Sequence, residues 1–233
     1  MNPQTELTPE STVAEVQAAL ADAADEKILA VNLKHGNNIA VNLGIVRAIA
    51  KSLKSNHELA GVLWASQDPT TRLVAILICK PRLFTLEDLD RWLREETTPK
   101  VQDWLLSYVV KKSKHLEQAR QSWIADPTPE VASAGWELTA YQVAKAPDVL
   151  DLPTLLDAIE AQMKHAPERL QWAMNNTLAA IGIECEPLRE RAVRIGHELG
   201  VLADYPTSPG CTSPFAPVWI EEIVARRAAQ QAG

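Results

Sequence analysis

The chain has 233 residues, 46% hydrophobic and 23% charged, the balance of an ordinary soluble globular protein with enough length to bury a sizeable core. No apolar run nears the ~18–20 residues that cross a bilayer, and the opening MNPQTELTPESTVAEV has neither the basic nor the apolar region of a secretory signal. The net charge of -7 argues at first against a nucleic-acid partner, but six of the 30 acids (Glu6, Glu10, Glu15, Asp22, Asp25, Glu26) precede the first base, Lys27, and the remaining 24 face 23 bases, so the body is near neutral and leaves room for a basic groove.

Residues 1–10 read as a mobile lead-in. Ser11-Thr12 followed by Glu15 has the form of a capping box and starts a helix to about Ala24. Residues 25–41 follow neither the helical nor the strand period, and His35-Gly36-Asn37-Asn38 reads as a turn. From Asn42 the apolar residues Ile45, Val46, Ile49, Ala50 and Leu53 form one helical stripe, and HELAGVLWAS predicts a further helix with Leu59, Val62 and Leu63 on one face. Asp68-Pro69 opens another helix, whose run LVAILIC is nearly all apolar and is expected to be buried. Thr85 to Asp88 caps LEDLDRWLREE. Pro99, Pro129, Pro153, Pro167 and Pro187 mark further helix entries, Gly200 is expected as a left-handed cap, and a last helix starts near Ala216.

A dozen or so short helices with brief connections and almost no strand signal predict an all-α fold. Short amphipathic helices are marginal alone and must bury their stripes against neighbours, so the expected architecture is a right-handed α-solenoid, a superhelix of degenerate HEAT-like helical hairpins. Residues 1–24 are expected to form the acidic lead-in and first helix, and residues 25–233 a single HEAT-like repeat domain.

No metal site is expected, because the five histidines do not fall at ligand spacing, and no cofactor, because the nine glycines form no phosphate-binding fingerprint. Cys79, Cys185 and Cys211 lie far apart, which fits a reducing, cytoplasmic setting rather than a disulfide framework. The stretch from Pro99 to Lys145, with three of the seven Trp residues, is the candidate working surface. Trp104, Tyr108 and Lys112 are four apart, which places them on one ridge of a helix, with Lys111 and Lys114 close by. Aromatic faces could take a base or sugar while the amines take phosphates. The same pattern also suits core aromatics with a solvated basic helix end. Trp123 and Trp136 read as core anchors. The loop Tyr205–Phe215 carries Thr212 and Ser213 just before a helix and is either an anion-binding loop or a simple cap.

Five segments together, HELAGVLWASQDPTTRLVAILI, VQDWLLSYVVKK, SAGWELTAYQVAK, QWAMNNTLAAIGI and DYPTSPGCTSPFAPVWI, resemble the AlkD-like DNA alkylation repair proteins over roughly residues 25 to 225. The resemblance implies a curved stack of HEAT-like hairpins with a concave basic face for duplex DNA and, in active members, hydrolysis of the N-glycosidic bond of alkylated, cationic purines. It implies a Trp and an Asp four apart on one helix, an Arg on the next repeat and a further Trp beyond. Here the Trp position matches Trp104, but the Asp position carries Tyr108, the Arg position Ser133, and the last aromatic position Asn176. Asp103 is the nearest carboxylate, about 100° round the helix from Trp104. The expectation is therefore a DNA-binding protein and a possible DNA glycosylase, with Trp104 and Asp103 as catalytic candidates. Tyr108, Lys111, Lys112, Lys114, Trp136 and Trp172 are the DNA-binding candidates, and Thr212 and Ser213 the anion loop. A catalytically inactive DNA-structure binder and a HEAT-type scaffold for a protein partner are the alternatives. A monomer is expected, with no membrane association.

Overall fold

The computed structural model describes residues 7–208 and 210–232, and every regular element among them is helical. The lead-in expected over residues 1–10 therefore falls mostly outside the described residues. The chain divides into two compact units, one up to Ala119 and one from Arg120 onward.

The first unit holds α1 (Val13–Asp22), α2 (Glu26–Leu33), α3 (Leu43–Leu53), α4 (His57–Trp64), α5 (Pro69–Ile78), α6 (Leu86–Arg94) and α7 (Pro99–Trp104). Its caps are local and readable. Thr12 accepts the Glu15 amide while the Glu15 carboxylate accepts the Thr12 amide, a complete capping box. Asp68 accepts the Thr71 amide with Pro69 in the first turn, and Thr85 and Asp88 form a second capping box. The bonds from Thr12 hold the Glu15 carboxyl below its ordinary value.

As expected, the apolar run LVAILI is a buried helix: α5 is the hub against which α1, α3, α4 and α7 pack, with Leu73, Val74 and Ala75 wholly inaccessible. Two expectations are corrected. Residues 26–33 form a helix, capped by Asp25; none of its residues is fully buried, so it lies on the surface and carries no apolar stripe from which a period could be read. On α4 the buried face is Ala60, Leu63 and Trp64, while Val62 is 57% exposed. Trp64 sets that face, because it stacks on Trp92 of α6 with ring centroids 4.0 Å apart and an interplanar angle of 4°.

α8 (Leu116–Trp123) contains the unit boundary. The second unit holds α9 (Pro129–Lys145), α10 (Leu152–Gln162), α11 (Glu168–Glu184), α12 (Glu186–Leu199) and α13 (Ala216–Ala232). Here α11 is the hub, against α9, α10, α12 and α13, over a core that includes Trp136, Leu156, Met174, Leu178 and Ile195. Gly200 ends α12 at φ 64°, the left-handed cap expected. Gly135 of α9 lies so close to the end of α8 that a Cβ there would be 2.3 Å from the Ile124 backbone nitrogen. Thr139 and Thr177 are fully buried and satisfied, with their hydroxyls on the Gly135 and Trp136 carbonyls at 2.8 and 2.9 Å.

Gly135→Ala should cost about 1–3 kcal/mol, because backbone rather than a side chain must move. Gly61→Ala, on an open stretch of α4 with nothing within 4 Å, should instead be neutral or slightly stabilising; urea unfolding of both variants checks the contrast. The folded-state pKa of Glu15 is depressed, so its box is complete above the ordinary glutamate range and is lost as pH falls through the depressed value. The Thr12 amide resonance should follow that titration in NMR.

Candidate functional site

The site is built on α7, and α7 is placed by buried polar groups. Its N-cap, Thr98, offers no side-chain bond to the helix. The amides at its entrance are satisfied by two other side chains, one just before the helix and one distant in sequence. Oε1 of Glu96 accepts the amides of Thr97 and Thr98 at 2.9 and 2.6 Å, and Oδ1 of Asn37, in the turn after α2, accepts the Lys100 amide at 2.8 Å. The other Glu96 oxygen is 3.1 Å from Arg72 of α5, with the two side chains only 3% and 5% exposed. Arg72 also donates to the carbonyls of Trp64 and Glu95, and its guanidinium lies 4.6 Å over the Trp64 ring. Gln102 donates to the Glu96 carbonyl. The hub helix, the stacked Trp64–Trp92 pair and the start of α7 are thus joined in one dry network.

After Trp104 the helix changes pitch. Leu105–Val109 is a π turn and Val110–Lys112 a 3-10 turn, so the regular helix expected through the ridge is broken. The ridge nevertheless forms. The Trp104 and Tyr108 rings are 5.2 Å apart and tilted by 58°, and Lys112 Nζ lies 5.3 Å over the Tyr108 ring. Sequence reasoning missed its fourth member. Arg47, on the exposed side of α3, places its guanidinium 4.6 Å over the Trp104 ring. The result is a ladder of cation, indole, phenol and cation: Arg47, Trp104, Tyr108, Lys112. No local signal could have found Arg47, since the contact depends on how α3 and α7 both pack on α5.

Trp104 is 6% exposed, Tyr108 half-buried and Lys112 exposed, so the cations carry the solvent-facing side. Lys111 is half-buried and Lys114 exposed. The 3-10 turn Pro81–Leu83, flanked by Lys80 and carrying the exposed Arg82, packs against the turn Val110–Lys112. Asp103 is exposed on α7, next to Trp104 in sequence. Burial pushes the Cys79 thiol up to about 12 despite the pull of Lys112 and a backbone bond, and the thiol donates to the Ile76 carbonyl at 3.2 Å; it is a buried structural group, not a nucleophile.

The remaining candidates lie in the second unit. Trp136 is 4% exposed within the core and offers no open face to a base. Trp172 is half-buried and meets the exposed Tyr205 edge to face at 4.9 Å. Ser133 is buried and donates to the Pro129 carbonyl, and Asn176 donates to Glu137 at 2.7 Å. In the loop before α13, Ser213 accepts the Phe215 amide at 3.2 Å, and the Thr212 hydroxyl is 2.7 Å from the Glu222 carboxylate, which competes with any incoming anion. Among the described residues no group of three or more His, Cys, Asp or Glu could hold a metal ion, and no helix is long and apolar enough to cross a membrane.

The model of the DNA alkylation repair enzyme family matches residues 16–216. The chain belongs to the DNA alkylation repair enzyme family. Two proteins of Listeria are similar to this chain: uncharacterized protein Lmo0209 of Listeria monocytogenes and uncharacterized protein Lin0241 of Listeria innocua. Each is 25% identical over 174 residues, 74% of this chain and 76% of the relative. A solved structure from a new family of proteins related to the HEAT-like repeat DNA glycosylases, with affinity for branched DNA structures, is similar at 25% identity and a TM-score of 0.76, covering 93% of this chain and 95% of that one. The fold of this family member is accordingly the HEAT-like helical repeat expected from its sequence.

Breaking the network under α7 tests its role. Glu96→Gln leaves Arg72 buried beside a neutral amide and should cost about 3–5 kcal/mol in urea unfolding. Exchange of the Lys100 amide should speed up with it.

Proposed function

We propose that this member of the family binds DNA through the Arg47–Trp104–Tyr108–Lys112 ladder, favours branched over linear duplex, and does not cleave the glycosidic bond. The observation that carries the reading is the ladder itself, in which two exposed cations stand over two packed aromatic rings. Cations on an otherwise near-neutral body suit phosphates, and the rings beneath them fix where those cations stand. Lys111 and Lys114 on the same segment, and Arg82 on the adjoining turn, extend the positive strip.

Excision needs a carboxylate beside the sugar to stabilise an oxocarbenium-like transition state. The position that the family resemblance assigns to that carboxylate is Tyr108, a phenol rather than a carboxylate, already packed between Trp104 and Lys112. Asp103, adjacent to Trp104 in sequence, lies about 100° round the helix from it and is exposed rather than packed among the ladder's rings. The preference for branched DNA is supported by the similar solved structure, whose family has that affinity.

Fluorescence anisotropy with a four-way junction and a linear duplex at two salt concentrations tests the reading. Binding should be tighter to the junction and weaken as salt rises, and Arg47→Ala and Lys112→Ala should each reduce the slope of log K against log salt by about 0.9. Alkylated duplex incubated with the protein should release no methylated base. No binding at low salt would leave the protein-scaffold alternative in place, and release of base would show that a carboxylate elsewhere serves.

A further inference from the structure

The Trp104 ring already carries a cation. The Arg47 guanidinium is 4.6 Å from its centroid, Tyr108 closes another side at 5.2 Å, and only 6% of the residue remains exposed. An aromatic face attracts a positive charge through its quadrupole, and two cations cannot share one face without repelling. A purine alkylated on a ring nitrogen is itself such a cation, delocalised and flat, and would seek the same place. Resting on the reading that the ladder meets nucleic acid, we infer that Arg47 is a specificity residue: it fills the indole face of Trp104 in place of a positively charged base, so that this site takes phosphate and neutral bases and turns away N-alkylated, cationic purines.

The arrangement around Arg47 fits that role. Its Nη1 makes one long contact, 3.4 Å, to the Leu43 carbonyl of its own helix, and the residue is otherwise exposed on α3. It is therefore held over the ring by the ring, not locked there by an ion pair within a dry network, as Arg72 is over Trp64. Lys112 covers Tyr108 in the same manner, so both rings of the ladder are matched to internal cations and a third positive group meets like charge at either one. A phosphate drawing Arg47 outward would uncover the indole for a neutral base, whereas a cationic base must displace the guanidinium while remaining beside it.

Saturation-transfer NMR with free 7-methylguanosine, at mildly acidic pH where its ring is cationic, and with guanosine tests the inference. Wild type should bind the two alike or prefer guanosine. Arg47→Ala should shift the ratio toward the cationic nucleoside by about fivefold or more, and Arg47→Lys, which keeps a cation in reach of the ring, should stay near wild type. A wild type that already prefers 7-methylguanosine, an Arg47→Ala ratio unchanged from wild type, or an absence of any signal from both nucleosides in both proteins would overturn it. Junction-DNA anisotropy on the same samples separates the two claims. If the DNA does not bind while Arg47→Ala still shifts the nucleoside ratio, the nucleic-acid reading fails and the role of Arg47 stands. If the DNA binds and the ratio does not move, the role of Arg47 falls alone.

Discussion

The buried ion pair between Arg72 and Glu96 is the contact on which the rest of the first unit depends. A pair this dry contributes little net stability compared with well-packed apolar side chains, but it is costly to break on one side. Its value here lies in geometry. One carboxylate oxygen takes the guanidinium of the hub helix and the other takes two amides at the entrance to α7, so the axis of α7 is tied to α5 at a fixed point. Trp104, five residues beyond Pro99, inherits that placement, and the ladder follows from it.

Above that anchor, charge and aromatic surface alternate rather than separate. Each cation–aromatic contact is worth only about 0.5–1 kcal/mol at an exposed position, so the ladder does not hold the fold together. It sets where two positive groups stand relative to two flat ones. Excision of a base calls for negative charge beside the sugar, whereas the groups that stand over Trp104 and Tyr108 are both cations. The family's repeat scaffold is present, and the groups over Trp104 and Tyr108 are positive.

Most of the fold was legible in the sequence because it is written locally. The two capping boxes, the Asp68-Pro69 entry and the Gly200 stop are read within four residues, and each is present as expected. The burial of α5 followed from a run with no polar face. What could not be read depends on contacts between distant segments. Helix α2 has no buried stripe to announce it. Val62 lost its expected place to Trp64 because Trp92, on another helix, supplied a stacking partner. The site was legible in part: Trp104, Tyr108 and Lys112 share a ridge as their spacing implies, even though the backbone beneath them abandons the α pitch after Trp104. Arg47 was invisible, since only the packing of α3 and α7 on α5 brings it over the indole, whereas Trp136 is core, as its reading as an anchor expected and its place among the DNA-binding candidates did not.

The amide of Lys100 has its partner in Asn37, on the turn that follows α2. Asn37 is itself only 8% exposed and is held by its own bond to the His35 carbonyl. A surface turn of this kind would ordinarily fray by itself, at little cost to anything else. This one cannot loosen without taking the partner from a donor in the first turn of α7. Opening near residue 37 costs a hydrogen bond at the start of α7, and a stretch that looks like a mere connector is part of the ladder's footing.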